Sequence, residues 1–331
     1  MNKTYNILIV GAGKIGTIRA QIARKISKKS KIYTFDTDIN KAILLANEVN
    51  GEPISSLNNA LKDKSLDIVV VSVINKYTKE ICISALKHNK HVLCEKPMGT
   101  NYKEALAIYK AAQKYKKIVK CGFNHRYHPA LQEAHKLCNN NAIGKLLYIR
   151  AVYGHGGRKG YDKEWRSKKS LSGGGELLDQ GSHLLDLCHW FFNFEQIKKT
   201  YCIAKTMFWD MEVDDNAFVL LETESGKVAH LHATWTQWKN RFTFEIYGNK
   251  GAIEVNGLGK SYGEETLRLL KRYKLGVAPK VTEKVFKGND TSWEYEWKDF
   301  INSISSKKKL PMSNHKESLD VMKTISKLYS H

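Results

Sequence analysis

The sequence has few cysteines, a deficit of acidic residues and no long apolar run. Its six cysteines are scattered over 331 residues with no C-x-x-C pair, so we predict neither a disulfide framework nor a zinc knuckle. No stretch of eighteen apolar residues occurs, and the first residues lead directly into a short apolar strand instead of a signal-peptide core. We therefore expect a soluble, cytoplasmic protein with reduced thiols and no membrane partner.

The charge balance is strongly basic, with 54 lysine and arginine residues against 33 acidic ones and a formal net charge of +21. The basic residues are dispersed, and no helix-turn-helix, zinc-finger or RNP-type signature accompanies them, so we predict no nucleic-acid partner. The positive field favours a small anionic substrate. His230 and His232 have metal-like spacing without a companion carboxylate or cysteine motif, and we predict no metal site.

The chain is too long for one ordinary α/β core, so we expect two domains. In the first part, amphipathic segments at 39–49, 78–89 and 102–115 alternate with short apolar runs. These runs cover 5–10, 31–35, 68–73, 91–94 and 118–122. Apolar strands between helices predict a buried parallel sheet, the doubly wound Rossmann arrangement.

A glycine turn follows the first predicted strand and opens a helix. Gly11 permits the turn, Gly13 lets a pyrophosphate approach backbone N–H groups, and Gly16 allows close packing of helix on strand. The intervening Lys14 and Ile15 belong to the same predicted cofactor-binding loop. The pattern predicts a dinucleotide site.

Asp36 ends the second predicted strand, twenty residues past Gly16. A carboxylate there can accept both ribose hydroxyls of the adenosine half and would repel a 2′-phosphate. We therefore predict NAD as the cofactor, with NADP less favoured. The neighbouring Thr37 is a further candidate contact, and Arg19 is a cation that can modify the preference.

Ligands of such sheets bind beyond the carboxyl ends of the strands. The further cofactor-binding candidates at these ends are Ser72, Asn75, Glu95, Lys96 and Asn124. Lys96 follows a buried strand and precedes Pro97, where a lysine can hold a substrate hydroxyl and the nicotinamide ribose or relay a proton. An ordinary turn residue at Asn75 and an ordinary surface loop at Glu95–Lys96 are the alternatives.

The segment 173–186 carries three glycines followed by acidic and histidine residues at helical spacing. If the helix begins at Glu176, Asp179 and His183 are i, i+4 neighbours and Asp186 lies one turn further along the same stripe. A histidine exchanges protons near neutral pH, so the pair is a candidate acid/base device. A surface hydrogen bond is the alternative interpretation.

In the second part, residues 217–223, 228–235 and 242–247 alternate apolar and polar side chains, which predicts half-buried antiparallel strands. One face of this sheet needs a partner, so we expect a homo-oligomer. The segment 153–161, rich in glycine, basic and aromatic residues, is either a substrate site or a flexible surface loop. The candidate substrate-binding residues here are Arg126, Tyr153, His155, Arg158 and Tyr161.

Three motifs in fixed order resemble the Gfo/Idh/MocA family, named after glucose-fructose oxidoreductase, inositol dehydrogenase and a rhizopine-catabolism protein. They are G-x-G-x-x-G, E-K-P after the fifth strand, and G-G-G-x-x-x-D-x-G-x-H-x-x-D near mid-chain. Residues 122–129 and the pair Trp165–Arg166 extend the likeness over nearly the whole chain. The family's T-P-N-x-x-H after the fourth strand is altered here, because residues 73–78 lack its proline and histidine.

The resemblance implies an NAD(P)-binding Rossmann domain at 1–123. It implies an α+β domain at 124–331 with an open, mainly antiparallel sheet, which in the family commonly forms a dimer or tetramer interface. It also implies that Lys96, Asp179 and His183 are catalytic and that Trp165 and Arg166 reach the cofactor or the substrate.

The expected function is NAD-dependent hydride transfer between nicotinamide and a ring hydroxyl or keto group of a sugar. A nucleotide-activated pyranose, in surface-polysaccharide or sugar metabolism, is the first expectation for the substrate. The alternatives are an inositol or free-polyol dehydrogenase, a non-catalytic sugar-sensing regulatory protein, and an enzyme of diol linkages or biliverdin-like substrates.

Overall fold

The computed structural model describes residues 4–306 and 309–330, which form two compact units. The first unit contains the described residues up to Phe123 together with Trp293–Met322, and the second contains Asn124–Ser292 and the residues from Lys323 onward. The predicted division into 1–123 and 124–331 does not include this return of the C-terminal segment to the first unit.

The first unit contains a six-stranded parallel sheet with helices in the connections. Its elements are β1 (Ile7–Val10), α1 (Lys14–Ile26), β2 (Ile32–Phe35), α2 (Ile39–Glu48), β3 (Glu52–Pro53), α3 (Leu57–Lys62), β4 (Ile68–Val71), α4 (Asn75–Lys87), β5 (His91–Cys94), α5 (Tyr102–Tyr115) and β6 (Val119–Cys121). The strand order is β3-β2-β1-β4-β5-β6. Strands β2 and β3 therefore lie on one side of β1, and β4 to β6 lie on the other. This confirms the predicted doubly wound arrangement, although β3 and α3 were not predicted.

The second unit contains an eight-stranded, mainly antiparallel sheet. Its elements are α6 (Pro129–Asn139), β7 (Leu146–Gly154), α7 (Lys169–Ser172), α8 (Gln180–Phe191), β8 (Ile197–Lys205), β9 (Asn216–Thr223), β10 (Val228–Thr234), β11 (Arg241–Gly248), β12 (Gly251–Asn256), β13 (Glu265–Lys271) and β14 (Lys280–Phe286). The strand order is β14-β13-β12-β11-β7-β10-β9-β8, and β7 and β10 form its one parallel pair among the described strands. The antiparallel strands predicted from alternation are confirmed.

The two faces of this second sheet differ. Ile149, Leu231 and Phe244 represent the inward positions, which are buried. Helix α8, all of whose residues are buried, packs on this inner side against β7 and β10. The outer positions alternate with them and remain partly exposed, as expected for a half-buried sheet.

The C-terminal segment adds α9 (Ser292–Ser306) and α10 (His315–Leu328). Trp297 and Phe300 of α9 pack into the same core as Ile7 and Ile9 of the first strand. Apolar burial therefore attaches this late segment to the first unit. All six cysteines are free thiols, and among the described residues no helix has the length and apolarity to cross a membrane.

Candidate active site

The glycine turn between β1 and α1 leaves room for a ligand at one position only. A Cβ on Gly11 would lie 2.3 Å from the Ser72 carbonyl oxygen, and one on Gly16 would lie 1.8 Å from the Gly11 carbonyl oxygen. A Cβ on Gly13 would meet no atom of the described residues within 4 Å. Gly13 precedes α1, whose N-terminus has no side-chain cap in the described structure. An uncapped helix N-terminus beside an unobstructed glycine suits a diphosphate.

Asp36 lies directly beside this turn. One carboxylate oxygen accepts the backbone N–H of Ala12 at 2.8 Å, and the other accepts the N–H of Asp38 at 3.0 Å. These bonds orient the carboxylate at the end of β2 and leave lone pairs for ribose hydroxyls. The exposed Thr37 donates weakly to the same carboxylate, at 3.4 Å. A negative group here disfavours a 2′-phosphate.

Two further predicted cofactor residues follow β4. The hydroxyl oxygen of Ser72 is buried and has no hydrogen-bond partner in the described structure, so it can serve a bound group. Asn75 is the first residue of α4 and is nearly buried. Together with the open position at Gly13, these residues fit NAD.

Arg19, which we predicted as a cation that can modify cofactor preference, does not face this site. Its side chain is fully buried and donates to Glu95 at 2.6 Å and to Glu296. The guanidinium is therefore neutralised inside the unit and is not available to a 2′-phosphate. Lys96, the next residue after Glu95, is partly exposed.

In the second unit, the turn before α8 differs from the prediction. The helix begins at Gln180, not at Glu176, and Asp179 is the residue immediately before it. The carboxylate of Asp214 accepts the N–H of Gly175 at 3.1 Å and the N–H of Leu177 at 2.8 Å, which holds residues 175–179 as a turn. The glycine is required at 175, because a Cβ would lie 1.9 Å from the Asp214 carbonyl oxygen.

Burial raises the pKa of Asp214, and its hydrogen bonds to Leu177 and Tyr329 partly oppose this. The Tyr329 hydroxyl donates to the Asp214 carboxylate at 2.8 Å. Asp214 was not predicted from the sequence, because a carboxylate 35 residues from Asp179 carries no local signal. Its position shows that the turn before α8 depends on a long-range contact.

His183 lies in the first turns of α8, among aromatic rings. Its imidazole is 6% exposed and stacks on that of His125 at a centroid distance of 3.7 Å and an interplanar angle of 18°. The ring of Tyr153 meets it edge-on at 6.1 Å. The structure thus brings together two predicted site residues, His183 and Tyr153, and one that was not predicted, His125. His125 lies in the segment 122–129, which carried part of the family resemblance.

A hydrogen-bonded chain extends from this cluster. The Gln180 amide donates to the Tyr262 hydroxyl at 2.9 Å, and the rings of Tyr262 and Tyr153 are 4.9 Å apart. Burial and the neighbouring Tyr262 raise the pKa of Tyr153, and burial raises the pKa of Tyr262 to about 12. Both phenols are therefore neutral hydrogen-bonding groups near neutral pH. Gln180 and Tyr262 were not predicted.

Asp179 is bordered by basic and aromatic groups from the segment after β7. Its carboxylate is 3.6 Å from the Arg166 Nε, and the Arg166 guanidinium lies over the ring of Trp165 at 4.6 Å. Burial lowers the pKa of His155, partly opposed by the charge of Asp179, so this imidazole is neutral. Tyr161 contacts the His155 ring at 5.6 Å.

The segment 153–161, for which a substrate site and a flexible surface loop were the alternatives, begins within a strand, because Tyr153 lies inside β7. Arg158 has an exposed ion pair with Glu164 at 2.6 Å, which partly neutralises it. The positive charge available to a phosphate is therefore smaller than the sequence indicates.

Arg126 is also placed differently from its prediction. It is 0% exposed, and its Nε donates to the carboxylate of Asp186 at 2.8 Å, with a second bond from Nη2 to the other oxygen. The Phe194 ring lies 5.1 Å from the guanidinium carbon. Burial and pairing favour a structural role for Arg126 over the predicted substrate contact, with Asp186 as its partner. Asn124 is buried as well and donates to the Ser292 hydroxyl at 2.9 Å.

A Rossmann sheet with a glycine turn, followed by a separate unit with a carboxylate and an imidazole at the start of a helix, defines a nicotinamide-dependent oxidoreductase. Two family models agree: residues 5–123 match the oxidoreductase family with an NAD-binding Rossmann fold, and residues 131–254 match the GFO/IDH/MocA C-terminal domain. The chain belongs to the GFO/IDH/MocA family. Its first unit is the NAD-binding Rossmann domain of this oxidoreductase family.

Individual relatives are distant. Levoglucosan dehydrogenase of Pseudarthrobacter phenanthrenivorans is 26% identical over 61% of this chain and 58% of its own length. Trans-1,2-dihydrobenzene-1,2-diol dehydrogenase of Xenopus laevis is 29% identical over 73% of this chain and 70% of its own length. A solved levoglucosan dehydrogenase structure in complex with NADH and levoglucosan has a TM-score of 0.90 with 20% identity, covering 99% of this chain and 96% of that one.

Proposed function

We propose that this protein transfers a hydride between nicotinamide and a ring CH–OH or keto carbon of a sugar. The observation that carries the proposal is the buried imidazole of His183, one helical turn after the carboxylate of Asp179, in a chain whose other unit is an NAD-binding domain. When bound, NAD supplies the hydride acceptor. The rest of the chemistry is proton transfer at the hydroxyl, which protein groups must perform.

His183 is the proposed proton acceptor for the substrate hydroxyl. Stacking on His125 and the edge of Tyr153 hold the imidazole plane in one orientation, as a base that must reach a particular hydroxyl requires. Asp179 is proposed to bind the same hydroxyl or a neighbouring one. Lys96 is proposed to hold the reacting oxygen and stabilise its developing negative charge. In the reductive direction the same groups return the proton.

The remaining side chains near Asp179 are proposed to recognise the sugar ring. Tyr153, His155 and Tyr161 combine an apolar ring face with a hydrogen-bonding group, as sugars require. The proposed substrate is an unphosphorylated sugar, anhydrosugar or polyol. Three facts support this choice over a nucleotide-activated pyranose: Arg126 is buried, Arg158 is paired with Glu164, and the similar levoglucosan dehydrogenase is named for an anhydrosugar.

A panel of substrates tests the proposal. Purified protein is incubated with NAD and levoglucosan, free hexoses, inositol or nucleotide-activated sugars, and nicotinamide reduction is followed by absorbance. We expect turnover with at least one unphosphorylated substrate. Turnover only with nucleotide-activated sugars would restore that substrate class, and binding of sugars without turnover of any would favour the regulatory alternative.

His183→Asn is the matching variant, with His230→Asn on the outer face of the sheet as its control. General acid–base groups contribute roughly 10²- to 10⁴-fold to rate, and we expect a loss in that range for His183→Asn alone. An equal effect of both substitutions would argue against the assigned base.

The outer face of the second sheet is the proposed homo-oligomer interface. It exposes apolar side chains on the edge strands β8 and β9, including Tyr201, Ile203 and Leu220, the last 48% exposed. Further across the same face the pairs Arg150–Glu245 and Arg268–Glu254 form a charged ladder. A two-fold arrangement can bury these apolar side chains and pair the charges, and a dimer or tetramer is expected.

Sedimentation of Leu220→Lys tests this interface. We expect the variant to sediment as a smaller species than the wild type. Leu44→Lys is the matched control, since Leu44 is an exposed leucine of α2, 68% accessible and outside the sheet. A wild type that sediments as a monomer would refute the interface.

A further inference from the structure

Four charged side chains are buried together in the first unit, and we refer to them as the buried charge cluster: Arg19, Glu95, Lys120 and Glu296. The Arg19 guanidinium binds both carboxylates, with Nε to Glu95 at 2.6 Å and Nη1 to Glu296. The Lys120 ammonium lies 3.7 Å from the second carboxylate of the cluster and also donates to the Met312 carbonyl at 2.6 Å. Two cations and two anions balance each other.

The members of the cluster come from segments with different tasks. Arg19 lies in the second turn of α1, the helix whose N-terminus follows Gly13. Glu95 immediately precedes Lys96, and Glu296 comes from α9, 201 positions later in the sequence. The cluster therefore joins the glycine-turn helix, the loop that carries the proposed oxygen-binding lysine, and the C-terminal segment.

The packing around the cluster leaves little freedom. A Cβ on Gly122 would lie 2.7 Å from an Arg19 nitrogen and 2.8 Å from a carboxylate oxygen of Glu95, so a side chain there would displace the ion pair. The Trp293 ring covers the guanidinium at 4.4 Å. Burial opposes the charge of Arg19, but Glu296 and then Glu95 raise its pKa above the usual value. Burial raises the pKa of Glu95, and Arg19 opposes this.

Apolar packing already attaches α9 to this unit through Trp297 and Phe300, so attachment does not require the charges. Buried ion pairs are weak sources of stability, and their best-attested role is to select one arrangement among several. The Arg19 guanidinium binds Glu296 on one side and the Glu95 carboxylate on the other, so it fixes the side chain of the residue that directly precedes Lys96.

We propose that the buried charge cluster positions Lys96 with respect to the glycine turn, and that Glu296 is a positioning residue for the cofactor site. The inference rests on the proposed function for the role of Lys96. Its test is therefore binding of NADH, measured by fluorescence titration, which does not depend on turnover of any sugar.

The experiment is a double-mutant cycle in the full-length protein. Misplacement of a functional group by about 1 Å can lower an enzyme's rate by up to about 100-fold. For NADH affinity, we expect Glu296→Gln to raise the dissociation constant about tenfold when Lys96 is present. In a Lys96→Met background, we expect the same substitution to change the dissociation constant by less than about twofold, because the group it positions is gone.

Lys25→Ala is the matched control, since Lys25 and Glu294 form an exposed ion pair between the same helices, α1 and α9. We expect it to leave NADH binding unchanged. If Glu296→Gln fails to fold, Arg19→Lys takes its place with the same expected pattern. This substitution keeps the buried positive charge but removes the guanidinium that binds Glu95 and Glu296 together.

Equal weakening in both backgrounds would overturn the proposal, because the effect would not pass through Lys96. A lower melting temperature with unchanged NADH affinity would also overturn it, by showing a purely structural role. If the wild type binds NADH with the predicted cycle but oxidises no sugar, the proposed function fails and the positioning role stands.

Discussion

Replacing Arg126 with methionine should strongly destabilise the second unit and leave substrate affinity unchanged in the molecules that fold. The guanidinium is fully buried and binds both oxygens of Asp186, so its removal leaves that carboxylate uncompensated in the interior. Substrate affinity should not change, because a buried guanidinium makes no contact with a ligand.

Removing one partner of a buried ion pair costs about 3–5 kcal/mol. In a unit of 150–250 residues each 1 kcal/mol lowers the melting temperature by roughly 2–4 °C, so a decrease of roughly 6–20 °C is expected. The double variant Arg126→Met/Asp186→Leu removes both charges and replaces them with apolar groups of similar volume. The double variant should lose much less free energy of unfolding than either single variant.

Urea unfolding followed by tryptophan fluorescence measures the stability of all variants, and KM for the sugar is measured on the folded protein. Lys25→Met is the control, because Lys25 is 64% exposed in its pair with Glu294, away from the proposed interface, and such pairs contribute about 0–1 kcal/mol. A stable Arg126→Met protein with a strongly raised KM would refute the structural role and restore Arg126 as a substrate ligand.

Three further predictions concern the cofactor turn and pH. Gly16→Ala should unfold or distort the turn, because its Cβ would lie 1.8 Å from the Gly11 carbonyl oxygen, whereas Gly13→Ala should keep the melting temperature and lose NADH affinity in a titration. Asp36→Ala should raise KM for NAD about tenfold or more by removing charge-assisted hydrogen bonds, and should leave KM for NADP unchanged or lower, as steady-state kinetics with both cofactors would reveal. Burial, with a contribution from Arg126, lowers the pKa of His189 from 6.5 to about 4, so the folded state resists protonation. The contribution of His189 to the free energy of unfolding should therefore be fully present above about pH 6.5 and should fall by roughly 3 kcal/mol at most towards pH 4. In urea titrations, His189→Gln should make the free energy of unfolding less dependent on pH over this range. An unchanged pH dependence would contradict the assignment.

The first unit was predictable because its signals are local. An apolar strand, a glycine turn and an amphipathic helix follow one another within about twenty residues, and each glycine has a steric reason that the structure confirms for Gly11 and Gly16. Strand alternation likewise located β9, β10 and β11. These patterns depend on neighbours in the sequence, so they can be read without knowing the fold.

The features that escaped prediction depend on distant partners. The start of α8 is set by Asp214, whose carboxylate binds the turn at Gly175 and Leu177. Arg126 has the residue type of a phosphate ligand, and its contact with Asp186, which favours a structural role, spans 60 positions of the sequence. The return of α9 to the first unit places Glu296 beside Arg19, a pairing that spans 277 positions of the sequence and leaves no local pattern.

Transfer of isotope from a sugar labelled with deuterium at the reacting carbon tests the central claim most directly. Mass spectrometry of the nicotinamide product should find the deuterium on the cofactor, and His183→Asn should slow this transfer by roughly 10²- to 10⁴-fold with NADH affinity preserved. Deuterium released to water, or transfer by His183→Asn at the wild-type rate, would contradict the account.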